Sequence, residues 1–180
     1  MSEPSADIVQ VLVSQEEIRR RVGELATEMQ SDFARRDLVV VGLLNGTLMF
    51  LADLVRGIDL PLRLDFIGVS SYGKGVEPGE LVFTKELKLD VSNRDVLLVD
   101  DIIDTGKTLC NVISKLKAMK PRHISSCVLL SKRARREYEI QVDYVGFEIP
   151  NEFAVGYGLD FREKYRNLPS IGVLRPELYS

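Results

Sequence analysis

Apolar residues recur at helical spacing from Ile18 onward, through Val22, Leu25, Met29 and Phe33. This predicts an amphipathic helix running to about Arg35, with Ser14 and Glu17 spaced as a capping box at its start. Its charged residues, Arg19 to Arg21 among them, then form a solvated face. Leu38 to Leu44 is a continuous apolar run containing three valines in a row, as expected of a parallel strand buried on both faces. Val96 to Val99 and Ile124 to Leu130 read the same way. Leu62 to Val69 and Ile171 to Leu174 are further strand candidates. Leu81 to Leu89 alternates in part and reads as a returning arm. Two short helices follow the first two buried runs, one carrying Leu48, Phe50, Leu51, Leu54 and Val55, the other Leu109, Val112, Ile113 and Leu116. Ile8 to Val13 reads as a short edge strand behind a loose polar start, Met1 to Asp7. Strands that alternate with helices predict an α/β fold around a parallel-rich twisted sheet.

The 180 residues suffice for one domain with a sizeable core. A net charge of -3 provides no basic field for nucleic acid or an anionic membrane, so neither is an expected partner. Cys110 and Cys127 have no metal-site spacing and read as buried free thiols, and the lone His123 reads as a surface or strand-edge residue. With no membrane-length apolar run and no leader-like segment, the cytoplasm is the expected location.

The densest chemistry follows Val96–Val99. Asp100 and Asp101 come directly after the apolar run, then Ile102, Ile103, Asp104, Thr105, Gly106, Lys107 and Thr108 before the next helix. Ligands of open α/β sheets bind outside the carboxyl ends of strands, and free amides at a helix start suit a phosphate. Three carboxylates in the same stretch would repel a bare phosphate. A sugar phosphate carrying a divalent metal meets both demands: Asp100 and Asp101 take ribose hydroxyls and Mg²⁺, while Asp104 to Thr108 cradle the phosphate. The ending Gly106-Lys107-Thr108 imitates a P-loop, but that motif needs glycine where Asp101 stands. A plain N-cap and turn would account for Asp104 and Gly106, but not for the acid pair. Leu44-Asn45-Gly46-Thr47 forms a second corner between a strand and a helix. The segment 73–79 holds three glycines and a proline with no apolar period, the composition of a mobile loop or of a passive hairpin connection.

The run DDIIDTGKT resembles the signature of type I phosphoribosyltransferases that bind phosphoribosyl pyrophosphate (PRPP), in the form found in their hypoxanthine-guanine branch. Leu44-Asn45-Gly46-Thr47 resembles that family's pyrophosphate loop, which carries a cis peptide before its second residue. Here Asn45 stands where many members have lysine or arginine. Ser71-Tyr72 matches the pair that opens the family's flexible catalytic loop, here about residues 70–83. Val145-Gly146-Phe147-Glu148-Ile149-Pro150, with Phe153 and the stretch to Arg166, resembles the purine-binding segment.

The resemblance implies a single domain spanning 1–180, with a small hood built from about 1–15 and 145–180. It also implies Mg²⁺-dependent transfer of 5-phosphoribose from PRPP to N9 of hypoxanthine or guanine. In that scheme Asp104 is the proton partner at purine N7, Lys132 meets the 6-oxygen and Phe153 stacks on the ring. Ala154 and Asp160 border its 2-side. Asp160 resembles a ligand of a second Mg²⁺, and Asn45, Gly46 and Arg166 face pyrophosphate. A homodimer or homotetramer is the family expectation. The alternatives are another base preference, such as xanthine, or a nucleic-acid-binding regulator on the same fold.

Overall fold

The computed structural model describes residues 6–70 and 81–179. Ser71 and Tyr72 lie outside the described residues, as does most of the expected catalytic loop. Among the described residues the chain runs β1 (Ile8–Val13), α1 (Gln15–Asp32), β2 (Leu38–Leu44), α2 (Leu48–Gly57), β3 (Leu62–Ser70), β4 (Val82–Lys85), β5 (Asp95–Ile103), α3 (Lys107–Ala118), β6 (His123–Ser131), β7 (Tyr144–Glu148), β8 (Ala154–Val155) and β9 (Ile171–Leu174).

A large sheet has the order β4-β3-β2-β5-β6-β7 and a small one the order β1-β9-β8. Neighbours from β3 to β7 are parallel, and β4 is an antiparallel edge. The valine runs sit at the centre, where alternate residues serve opposite faces. Leu38 and Val40 of β2, with Leu97 and Val99 of β5, join the core beneath α1 and α2. Val39, Val41, Val96 and Leu98 join the core beneath α3. The chain leaves β2 toward β3 on one side and β5 toward β6 on the other. The carboxyl ends of β2 and β5 therefore flank a topological switch point, where ligands enter sheets of this kind.

The capping box forms as expected: Glu17 N–H donates to Ser14 Oγ (3.2 Å) and Ser14 N–H to Glu17 Oε2 (2.8 Å). Helix α1 stops at Asp32 instead of near Arg35, because Arg35 takes a left-handed conformation, φ 64°. Arg21 is not simply solvated; it donates to the Val145 and Gly146 carbonyls (2.8 and 3.1 Å) and ties α1 to β7. Cys127 is buried as expected, but Cys110 is only half-buried. His123 is exposed at the start of β6.

The stretch expected to enter the hood at about 145 divides. Val145 and Phe147 pair with Val128 and Leu130, so β7 belongs to the large sheet. The small sheet is built from β1, β8 and β9, with Val11 opposite Gly172 and Ala154 opposite Val173.

The returning arm is fastened at its root. The buried Asp65 carboxylate of β3 accepts from the backbone of Phe66 (2.7 Å), Lys88 (2.6 Å) and Leu89 (2.9 Å) and pairs with Lys85 Nζ (3.0 Å). Burial pushes this carboxyl up, but the donors from Leu89, Phe66, Lys85 and Lys88 outweigh it and hold it at about 2. A folded pKa below the unfolded one adds stability that is complete above the unfolded value and lost as pH falls through the folded one. Asp65→Asn is therefore expected to cost about 2 kcal/mol at pH 7. Urea unfolding of both proteins from pH 7 downward checks this: the gap should narrow as pH drops from about 4 toward 2, and a gap independent of pH would contradict it.

Candidate active site

Strand β5 runs farther than its apolar residues suggested. Asp100, Ile102 and Ile103 still pair with Val128, Leu130 and Ser131 of β6, so the acid pair lies within the strand and not in the loop beyond it. Asp101 N–H donates to Asp100 Oδ1, and Ile102 N–H to Asp101 Oδ1, both at 3.0 Å. Burial, with the Asp101 charge beside it, holds the Asp100 carboxyl well above its ordinary range. Burial also raises Asp101, although the Asp100 hydrogen bond and the Arg166 guanidinium work against the shift. Two adjacent desolvated carboxylates disfavour their own charge, and a cation reverses that preference.

Past the acids the chain turns through Asp104, Thr105 and Gly106 into α3. Gly106 takes a left-handed conformation, φ 90°, at the helix start. Thr105 Oγ1 accepts from Lys107 N–H at 3.3 Å. Residues Asp100 to Gly106, with Thr108 and Leu109, line a cavity of about 250 Å³.

The stretch 134–139 buttresses this loop. Arg135 pairs with Asp104 Oδ2 at 3.1 Å, and Arg136 Nε donates to the Asp104 carbonyl at 3.2 Å. Glu137 and Tyr138 both donate to the Thr105 carbonyl. Asp104 Oδ1 is buried without a hydrogen-bond partner. Lys132 follows β6, and its amide donates to the Ile103 carbonyl at 3.0 Å. The side chain is buried, and burial holds the ammonium below lysine's ordinary pKa while the Asp104 charge opposes the shift.

Three segments distant in sequence meet at the switch point. The Leu44–Asn45 peptide is cis. A side chain on Gly46 would overlap the Asp101 carboxylate, and one on Gly158 would overlap the Gly46 carbonyl. Arg166 donates to the Gly158 carbonyl at 2.8 Å and pairs with Asp160 at 2.9 Å. Asp160 is thus engaged by Arg166 and by Glu163 N–H, not gathered with Asp100 and Asp101. No three His, Cys, Asp or Glu side chains converge on one point among the described residues, so a metal here would need ligands from the substrate. Phe153 is half-buried on the hood, and Ala154 is buried at the start of β8.

Residues 11–162 match the model of the phosphoribosyl transferase domain. The chain is 45% identical over 174 residues to the hypoxanthine-guanine phosphoribosyltransferase of Bacillus subtilis, covering 96% of this chain and 97% of that protein. A solved hypoxanthine phosphoribosyltransferase of Staphylococcus aureus superposes with a TM-score of 0.91 at 44% identity, covering 97% of this chain and 95% of that one. The chain belongs to the hypoxanthine-guanine phosphoribosyltransferase family. It is also 47% identical over 175 residues to the bifunctional protein TilS/HprT of Listeria monocytogenes, of which it spans 27%.

Arg135 and Arg136, which hold Asp104, were not singled out in the sequence, because nothing in the charged run 134–139 marks them. Thr47, the last residue of the loop 44–47, has a buried hydroxyl without a hydrogen-bond partner. Gly158→Ala tests the three-way contact, because φ there is 104° as well as crowded. It is expected to lower Tm by about 3–10 °C in differential scanning calorimetry. An unchanged Tm would mean that the hood loop can retreat from Gly46 without cost.

Proposed function

We propose that the chain transfers 5-phosphoribose from PRPP to N9 of hypoxanthine or guanine, releasing pyrophosphate in purine salvage. One juxtaposition carries this reading: a buried lysine, Lys132, in the electrostatic field of Asp104 at the turn between β5 and α3. An ammonium there donates to an exocyclic oxygen. Adenine, with an amino group at that position, would leave the cation unpaired, and an unpaired buried charge is heavily penalised.

The remaining residues divide by task. Asp104 takes the proton at purine N7 as the glycosidic bond forms. Asp100 and Asp101 accept from the ribose hydroxyls. Asp104 to Thr108 hold the 5-phosphate with amides and hydroxyls at the start of α3. The loop 44–46 and Arg166 hold the leaving pyrophosphate. Phe153 stacks on the base, with Ala154 and Asp160 beside its 2-side. Mg²⁺ fits the doubly acidic strand end, where Asp100 and Asp101 would hold it and Asp160 would serve a second ion; it supplies positive charge to the departing pyrophosphate. Ser71 and Tyr72 belong to the proposed closing loop, which excludes water from the cationic ribose.

Self-association as a homodimer or homotetramer is part of this proposal, supported by the exposed Leu48 and Met49 that follow the pyrophosphate loop. So is a cytoplasmic location; no helix among the described residues is long and apolar enough to cross a membrane.

The test is product formation from PRPP and Mg²⁺ with hypoxanthine, guanine, xanthine and adenine separately, beside Asp104→Asn. Hypoxanthine or guanine should turn over and adenine should not, and the variant should lose about 10²-fold or more in kcat. Xanthine as the preferred base would redirect the specificity argument. No turnover of any base, with PRPP still bound, would overturn the enzyme reading.

A further inference from the structure

The hood carries an aromatic cluster that belongs to neither hydrophobic core. Tyr179 lies over the Phe153 ring, with centroids 4.7 Å apart and planes inclined by 25°. Phe161 meets the same ring edge-on, at 5.5 Å and 88°. These rings are not sealed inside the protein: Phe153 and Phe161 are half-buried, and Tyr179 is 38% exposed. Partly exposed rings gathered around one member leave a planar apolar face in contact with solvent, and such a face suits a planar ligand.

We infer that Tyr179 is a positioning residue for the purine, acting through Phe153 as the outer layer of a stack of Tyr179, Phe153 and base. This rests on the reading of Phe153 as the base platform. The backbone supports the arrangement. Phe153 C=O accepts from Leu174 N–H at 2.9 Å, which ties the platform to the end of β9. The chain then passes Arg175, whose amide donates to the Asp7 carbonyl at 2.8 Å, and a short 3₁₀ turn over Pro176–Leu178 delivers Tyr179 back over Phe153. The strand that fixes the Phe153 backbone therefore also supplies the ring behind its side chain. A ring stacked on one side and met edge-on on another has few orientations left, so the face offered to the base is set before the base arrives. Because Tyr179 meets the Phe153 ring, its influence reaches the base through that platform.

The test uses steady-state kinetics with the base varied at saturating PRPP, then PRPP varied at saturating base, for Tyr179→Ala, Tyr179→Leu, Tyr179→Phe and Phe153→Leu. Losing an aromatic pair of this kind shifts an equilibrium about three- to tenfold. Tyr179→Ala and Tyr179→Leu should raise the KM for hypoxanthine and guanine by that factor, leaving the KM for PRPP and kcat unchanged. Tyr179→Phe keeps the ring and should behave as the parent. Tyr179→Leu fills the same space without a π face, so it carries the test if the alanine variant fails to fold. An unchanged or lower base KM, or base and PRPP KM rising together, would overturn the inference. Phe153→Leu separates the two readings: if it leaves the base KM unchanged, the platform itself is wrong; if it raises the base KM while the Tyr179 variants do not, only the role of Tyr179 fails.

Discussion

Asp101 lies against Gly46, and the Gly46 carbonyl lies against Gly158, so the ends of β2 and β5 and the hood loop meet at backbone distance. Each contact exists because a side chain is missing. The loop at the end of β2 can sit beside the acid pair only while Gly46 has no Cβ, and the hood can close on that loop only while Gly158 has none. Arg166 secures the arrangement from the hood side by holding the Gly158 carbonyl, and its charge offsets part of the burial that Asp101 suffers. The site is therefore less a pocket in one element than a junction, and what it recognises depends on keeping the junction tight.

The hood loop needs anchors elsewhere, since its backbone is unusual. Tyr157, Arg162, Glu163 and Tyr165 have positive φ, alongside Gly156 and Gly158. Non-glycine residues in that region hold their conformation only where surrounding contacts over-determine it. Two tyrosines supply such contacts. Tyr157 donates its hydroxyl to Asp53 of α2 at 2.7 Å, and Tyr165 donates to Asp7 before β1 at 2.8 Å. Both phenols are thereby held above tyrosine's usual pKa, Tyr157 chiefly by burial and Tyr165 chiefly by the hydrogen bond to Asp7. The loop that presents Arg166 is pinned to the body of the domain from two directions.

The large sheet was legible because parallel strands buried on both faces leave continuous apolar runs, and β2, β5 and β6 have them. The capping box of α1 was legible because it is local. The end of β5 was not: its last residues are acidic or follow acids, and only pairing with β6 keeps them in the strand. The pairing of β7 with β6 was not legible for a related reason, since nothing in Tyr144–Glu148 says which of two sheets it joins. Within the candidate site, the turns after β2 and β5 announce themselves by composition. Arg135, Arg136 and Tyr179 do not, because their roles come from partners far along the chain.

The pairing of β1 with β9 has a temporal consequence. Residues 8–13 leave the ribosome well before their partner, 171–174. Until that partner emerges, β1 is a short strand with its hydrogen-bonding edge open, and the large sheet can form without it. The small sheet closes only once β9 has been made. Contacts between such distant segments are slow to form and aggregation-prone while unmade. A nascent chain stalled before β9 would thus carry a finished large sheet with its acid pair uncovered and an exposed strand seeking a partner.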